Sequence, residues 1–199
     1  MQKNTMQDNN DQDIKLLIEA MIFVSQVPLS VKTIQETLSD QKKLSKKRLL
    51  AILHELQNDY DARGISLIEV ASGFRFQAKD QYSDYIALLF KEKAPRYSRA
   101  LLETLSLIAY RQPITRGEIE DIRGVAVSSY IIRTLQERDW IHVVGHKEVP
   151  GKPGLYGTTK EFLDYFSLKS LAELPELMEV TELKIAADGE RANVAEQAT

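Results

Sequence analysis

The chain has 199 residues, 43% of them hydrophobic, and a formal net charge of −3. That length has room for two compact units of ordinary size, and the absence of cysteine excludes disulfides, thiol nucleophiles and Cys-ligated zinc. No apolar run approaches the roughly 20 residues of a membrane-spanning helix, and the polar first thirteen residues lack the apolar centre of a signal peptide, so a soluble cytoplasmic protein is expected.

In chain order, residues 1–13, rich in Asn, Gln and Asp, are expected to be a disordered tail. Ile14 to Val24 reads as an apolar helix with Leu17, Ile18, Met21 and Phe23 on a wide stripe. Pro28 cannot continue it, and Ser30 is a good N-cap for a second helix, Val31 to Leu38. Ser45 then caps a long helix to about Ala62, ended by Gly64. Ile65–Val70 and Phe74–Ala78 flank Ala71-Ser72-Gly73 as a hairpin, and Tyr82–Lys93 reads as a fourth helix.

Pro95 disfavours helix at Ala94, so the break between units is expected there. The next helix runs from Arg99 to Tyr110. Thr115-Arg116-Gly117-Glu118 has the form of a capping box, with Arg123-Gly124 as the helix stop. Ser128 or Ser129 starts a third helix that ends near Arg138. Trp140–Val144 and Leu155–Thr158 are strands flanking a loop with two prolines and two glycines. Thr158-Thr159-Lys160-Glu161 reads as a second capping box before a helix carrying Phe162, Leu163 and Phe166. Residues 181–199, acidic and rich in small side chains, read as a flexible tail.

The two halves repeat one another. Placing Pro28 on Pro113 aligns Leu17 with Leu102, Phe23 with Ile108, Ser30 with Thr115 and Ile34 with Ile119. His54-Glu55-Leu56-Gln57 likewise aligns with Arg133-Thr134-Leu135-Gln136. Three helices followed by a hairpin is the order of a winged helix. The expectation is a mostly helical α+β chain of two tandem winged-helix domains, residues 14–93 and 96–178.

Charge argues against a strong DNA reader. Residues 14–93 carry 12 Lys and Arg against 10 Asp and Glu, and residues 96–170 carry 11 against 9, a net of +2 each. A DNA-binding domain usually shows a pI above about 9. The helix Ser128–Arg138 has only Arg133 and Arg138 as cations, beside Glu137 and Asp139, with Tyr130, Ile131, Ile132 and Leu135 mostly suited to a core, unlike a groove-reading helix. The run Lys42, Lys43, Lys46, Lys47 and Arg48 is the one candidate for weak nonspecific DNA contact, although cations oppose the dipole at a helix N-terminus. His142 and His146 share a face of a straight strand, but a zinc site needs three or four ligands. Gly151-Lys152-Pro153-Gly154 lacks the Gly-x-x-x-x-Gly-Lys-Ser/Thr form of a phosphate loop, and no nucleophile elbow or triad is legible. No enzyme, metal or cofactor is expected. Six aromatics of the second unit, Tyr110, Tyr130, Tyr156, Phe162, Tyr165 and Phe166, fit either a core or an exposed groove.

Two strings, ETLSLIAYRQPITRGEIEDIRGV from Glu103 and VPGKPGLYGTTKEFLDYFSLKSLAELP from Val149, closely resemble segregation and condensation protein B, a family of accessory (kite) subunits of the bacterial SMC–kleisin condensin complex. The resemblance spans about Ile14 to Leu177 and is strongest in the second unit. Asp139 and Ser167 stand where such proteins often carry glycine. The resemblance implies a homodimer joined mainly through the first winged helix. It implies that the second winged helix grips the central region of the kleisin, segregation and condensation protein A, and through it the SMC ATPase in chromosome segregation. Leu17, Met21 and Phe23 are then candidates for the dimer interface. Tyr110, Arg111, Gln112, Tyr130, Arg133, Tyr156 and Phe166 are candidates for the kleisin contact, chosen as residue types common at interface hot spots near helix ends and the wing. The reading left beside it is a dimeric winged-helix regulator on a palindromic operator.

Overall fold

The computed structural model describes residues 2–39, 44–90 and 97–176, with side chains from residue 12. The first unit is α1 (Gln2–Val24), α2 (Val31–Leu38), α3 (Lys46–Asp59), β1 (Ile65–Val70), β2 (Gly73–Ala78) and α4 (Ser83–Phe90). The second is α5 (Arg99–Arg111), β3 (Ile114–Thr115), α6 (Arg116–Arg123), α7 (Ser129–Glu137), β4 (Ile141–His146), β5 (Gly154–Thr158) and α8 (Lys160–Tyr165). Both units are winged helices: three helices, then an antiparallel hairpin. The expected break at Ala94-Pro95, the end of the fourth helix and the tail beyond residue 176 lie outside the described residues.

Ile14, Ile18 and Ile22 recur at helical spacing and are buried against Ile34, Leu38, Leu49, Ile52, Leu53 and Leu56. Lys15 Nζ reaches Asp59 at 2.5 Å, and the Tyr60 hydroxyl donates to Glu19 at 2.5 Å, tying α1 to the end of α3. That bond to a carboxylate raises the Tyr60 pKa, with burial as the next cause. In the second core Leu105, Ile108, Ile119, Ile132, Leu135, Ile141 and Trp140 surround Phe162.

The repeat holds in the helix-turn-helix. Ser30 and Thr115 are both N-caps, accepting from the N–H of Thr33 and Glu118; Ile34 and Ile119 are both fully buried, as are Leu56 and Leu135. It slips by one residue in the first helix. Phe23 is 71% exposed whereas Ile108 is buried, and it is Ile22 that matches Ile108 in the core. Ile22 lies six positions before Pro28 and Ile108 five before Pro113, and that one added residue rotates every preceding side chain by a helical step of about 100°.

Four boundaries differ from expectation. Helix α1 starts at Gln2, in place of a disordered 1–13 segment, because extending an already nucleated helix adds a hydrogen bond per residue without a second nucleation cost. Helix α3 stops at Asp59, where Tyr60 closes the last turn and Arg63 N–H bonds the Tyr60 carbonyl. The first hairpin has a two-residue turn, with Val70 paired to Gly73. Thr159, not Thr158, caps α8, accepting from Phe162 N–H at 3.1 Å; Thr158 is the last residue of β5, so Glu161 is one position short of closing a box.

In the second sheet β3 pairs with β5, and β5 with β4. A bulge between Val143 and Gly145 pairs His142 with Gly157 but His146 with Gly154. Three partner positions separate those two pairs, so the bulge turns His142 and His146 to opposite faces.

The units meet at the first hairpin. Ala71 N–H donates to the Leu168 carbonyl at 3.0 Å and Ser72 N–H to Asp164 Oδ1 at 3.0 Å. The Ser167 hydroxyl lies 3.2 Å from Arg75 Nη2 and donates to Gln77 Oε1 at 3.1 Å, and Lys169 pairs with Glu69 at 3.1 Å. Asp139 and Ser167 have φ of 54° and 59°. This left-handed backbone is adopted most cheaply by glycine, the residue that the resemblance leads one to expect at these two positions.

Candidate binding clefts of the second unit

Helix α5 follows a Ser98 cap and buries Leu101, Thr104, Leu105, Ile108 and Ala109. Its opposite edge, centred on the 40%-exposed Leu102, separates two clefts that share Leu102 and Ser106.

The first cleft, about 420 Å³, lies between α5, α8 and the segment 168–175. Its floor is Leu105, Ala109 and Phe162, and its walls are Tyr110, Phe166, Leu168, Leu174 and Pro175. The Tyr110 hydroxyl donates to the Pro175 carbonyl at 2.5 Å, holding the outgoing segment over the helix. Phe166 stands against Trp140, Phe162 and Tyr165 with ring centroids 5.0–5.4 Å apart, while 39% of its surface stays open. Arg138 lies over Tyr97 and Trp140, and Tyr97 and Tyr165 bond through their hydroxyls at 2.9 Å. That bond raises the Tyr165 pKa. A rigid aromatic wall beside an apolar floor suits an apolar side chain from outside.

The second cleft, about 730 Å³ and more open, is lined by Tyr97, Arg99, Leu102, Glu103, Ser106, Leu107 and Arg123. Glu103 takes Arg99 Nε at 2.8 Å and Arg123 Nη2 at 3.1 Å, and both bonds lower its pKa. The Arg123 side chain is only 9% exposed, and its Nε has no hydrogen-bond partner among the described residues.

The expected contact residues divide. Tyr110 and Phe166 come together in the first cleft. Arg111 is exposed at the end of α5, next to Tyr110. Gln112 serves the fold: its amide donates to the Ala109 carbonyl at 3.1 Å and to Thr158 Oγ1 at 2.9 Å, and it accepts Thr158 N–H at 2.7 Å. Every strong hydrogen-bonding direction of that amide is used inside the unit, so it is withdrawn as a contact. Tyr156 is half-buried and packs on the core. Tyr130 is 72% exposed on α7, the exposed one of the two placements expected for it, and Arg133 is exposed and paired with Glu137 at 2.7 Å; neither lines either cleft. Among the cleft residues that the sequence does not put forward as contacts are Leu102, Leu105, Arg99 and Arg123. In sequence Arg123 stands out only as the last residue before the Gly124 stop.

On the first unit Leu17 and Phe23 are exposed, with Leu16, Val24 and Val27 beside them, while Met21 is half-buried against the core. Helix α4 buries none of its described side chains and exposes Tyr85, Leu88 and Leu89. Lys46, Lys47 and Arg48 are exposed on the first turn of α3; Lys42 and Lys43 lie outside the described residues. Among the described residues no helix is long and apolar enough to cross a membrane, and no cluster of three or more His, Cys, Asp or Glu side chains has metal-binding geometry.

A pair of winged helices, one with an aromatic-walled cleft and the other with unpartnered apolar helices, defines a tandem winged-helix binding protein. Similarity to known proteins narrows this. The model of the family described as "Segregation and condensation complex subunit ScpB" matches residues 16–177. The chain is 55% identical over 170 residues to the segregation and condensation protein B homolog of Coxiella burnetii, covering 85% of this chain and 81% of that one. It is 43% identical over 163 residues to segregation and condensation protein B of Symbiobacterium thermophilum, covering 81% and 72%. A solved structure described as a dimer of the ScpB N-terminal domain complexed with ScpA peptide is 28% identical, covering 39% of this chain and 95% of that one, with a TM-score of 0.35. The chain belongs to the ScpB family.

Proposed function

We propose that the chain is a non-catalytic, homodimeric subunit of an SMC–kleisin complex that compacts and separates chromosomes in the cytoplasm, at the nucleoid. In this reading the second unit holds the central region of the kleisin, segregation and condensation protein A, and through it the SMC ATPase. The observation that carries the assignment is the cleft between α5 and α8, whose Phe166 and Tyr110 walls stay partly open above a buried Leu105 floor. Such a groove suits an apolar anchor of a helical or extended segment.

The dimer is assigned to the first unit. Leu17, Phe23 and their neighbours on α1, with Tyr85, Leu88 and Leu89 on α4, leave more apolar surface uncovered than scattered exposure accounts for. Met21 supports this surface from the core side rather than forming it. A two-fold pairing of such a surface is the common route to a dimer. Any contact with DNA is weak and nonspecific, through Lys46, Lys47 and Arg48 with Lys42 and Lys43 before them, and its affinity falls steeply with salt.

The test measures kleisin affinity, thermal stability and sedimentation for each variant. Phe166→Ala and Tyr110→Ala are expected to weaken kleisin binding about tenfold or more and leave the dimer intact. Leu88→Ser with Leu89→Ser is expected to yield monomers that still bind kleisin. Loss of kleisin binding in the α4 variant, with Phe166→Ala and Tyr110→Ala unaffected, would move the grip to the first unit.

A further inference from the structure

The segment that closes α8 faces two ways. Phe166 and Leu168 line the α5–α8 cleft. Their neighbours reach the first unit: Asp164 accepts Ser72 N–H, and the Leu168 carbonyl accepts Ala71 N–H. The Ser167 hydroxyl accepts from Arg75 and donates to Gln77. None of the side chains in these bonds lines the cleft. Helix α8 ends as Ser167 N–H bonds the Asp164 carbonyl at 3.1 Å and Leu168 N–H the Leu163 carbonyl at 2.8 Å. Those paired bonds make a helix stop whose left-handed residue is usually glycine. Here it is Ser167, at φ 59°. Serine is held there against its backbone preference, and what it supplies in return is a hydroxyl for Arg75 and Gln77, which glycine lacks.

We propose that the first hairpin positions the wall of the α5–α8 cleft, with Arg75, Gln77 and the Ala71-Ser72 turn as positioning residues for the segment bound there. The proposal rests on the kleisin reading above, and adds that the grip of the second unit depends on the first. The Phe166 ring packs on Trp140, Phe162 and Tyr165, while 39% of its surface stays open. Its backbone is pinned on both sides by the bonds at Asp164, Ser167 and the Leu168 carbonyl. Holding that wall in place before the segment arrives removes an ordering cost from binding. The coupling is reciprocal, so an occupied cleft holds the hairpin more tightly.

The experiment measures the affinity of the full chain for the intact kleisin encoded in the same genome, and the melting of the free chain through Trp140. Asp164→Ala with Ser167→Gly removes both side chains of the segment that bond the hairpin and its turn, and relaxes the left-handed position. Its second unit should melt no lower than that of wild type, yet it should bind kleisin about fivefold more weakly. Arg75→Met severs the Ser167 bond from the side of the first unit and should also weaken binding. In a Phe166→Ala background neither change should weaken binding further, because the wall they position is gone. Kleisin should also slow hydrogen exchange of the Ala71 N–H in the wild-type chain. Wild-type affinity in the Asp164→Ala, Ser167→Gly variant, losses that add in full to that of Phe166→Ala, or unchanged exchange at Ala71 overturns the proposal and leaves the kleisin reading in place. If that double variant melts lower, Arg75→Met decides, since it leaves the second unit untouched, and wild-type affinity there overturns the proposal. If the wild-type chain does not bind intact kleisin, the functional reading fails and this inference fails with it.

Discussion

After its hairpin each winged helix of the chain adds one more helix, and the two meet opposite fates. In the second unit α8 folds back, buries Phe162 and stands its aromatics against Trp140. In the first unit α4 buries none of its described side chains. The sheets diverge in the same sense. Ile114 and Thr115 form a third strand on Tyr156 and Leu155, whereas the repeat-related Leu29 makes a single bridge to Phe74. The duplication has kept the buried positions of the helix-turn-helix and varied what surrounds them. One unit closes its apolar surface into a walled cleft; the other leaves it in the open, where a second copy can cover it.

The sharpest way to break this comparison is at the two places where the chain passes closest to its hairpin. A Cβ on Gly73 would stand 2.2 Å from the Leu29 carbonyl oxygen, and its φ is 146°, so neither the backbone nor a rotamer change makes room. Gly73→Ala is expected to cost the first unit about 3 kcal/mol or more. A Cβ on Gly157 would meet the side chains of Val144 at 2.9 Å and Gln112 at 3.0 Å, which give way more easily, at about 1–2 kcal/mol. Trp140, the single tryptophan, reports the second unit, and circular dichroism reports both. A Gly73→Ala variant whose Trp140 transition moved as far as that of Gly157→Ala would show that the two units unfold as one.

Leu56 and Leu135 test the shared frame. They are equivalent in the repeat and buried to 1% and 0% exposure. Leu56→Ala and Leu135→Ala are each expected to cost about 3 kcal/mol. Chemical denaturation of the two variants should give matching losses in their own units; a cost in one less than half that in the other would mean that the cores are not repeats of one packing.

How legible each feature is in sequence depends on which force sets it. Caps and many core positions follow from local pattern, so Ser30, Ser45, Thr115, Gly124 and the buried Ile34, Ile119, Leu56 and Leu135 are readable, whereas on the first helix the stripe of Leu17, Ile18, Met21 and Phe23 gives way to Ile14, Ile18 and Ile22. The repeat misplaces Phe23 because one added turn residue rotates a helix without disturbing its composition. The Thr158–Glu161 box fails because a neighbouring strand claims Thr158, a tertiary effect that no local motif reports. Of the cleft residues, Tyr110 and Phe166 are legible as aromatics near helix ends. Arg123 is not, since its significance comes from burial beside Glu103, twenty positions away in sequence. Gln112 has the look of an interface residue, yet it binds its own Thr158.

Acid should separate the units next. Lys147 and both the N–H and hydroxyl of Thr115 bond Glu118 and lower its pKa to about 2, against an ordinary value of 4.5. The equivalent position in the first unit is Thr33, which cannot ionise in this range. A carboxylate with a depressed native pKa stabilises fully above about pH 4.5 and loses that contribution as the pH falls toward 2. Wild type should therefore exceed Glu118→Gln in stability near neutral pH, by a modest amount because the group is partly exposed, and the gap should close between pH 4.5 and 2. A gap independent of pH would mean that the glutamate acts by shape rather than charge.

The smallest effect lies on α6, where two glycines seven residues apart should respond with opposite sign. Gly117 sits in the first turn of the helix, exposed, with no atom within 4 Å of where a Cβ would stand and no positive φ. Alanine there gains helix propensity and restricts the unfolded chain, so Gly117→Ala is expected to stabilise the second unit by roughly 0.5–1 kcal/mol. Gly124 is equally unobstructed, but it ends the helix at φ 67°, with its N–H on the Glu120 carbonyl. Space is not what glycine supplies at this second site; backbone freedom is, and Gly124→Ala should cost about 1 kcal/mol. Urea titrations followed through Trp140 resolve both changes. If the two substitutions shifted the midpoint in the same direction, the left-handed stop assigned to Gly124 would not be what ends the helix.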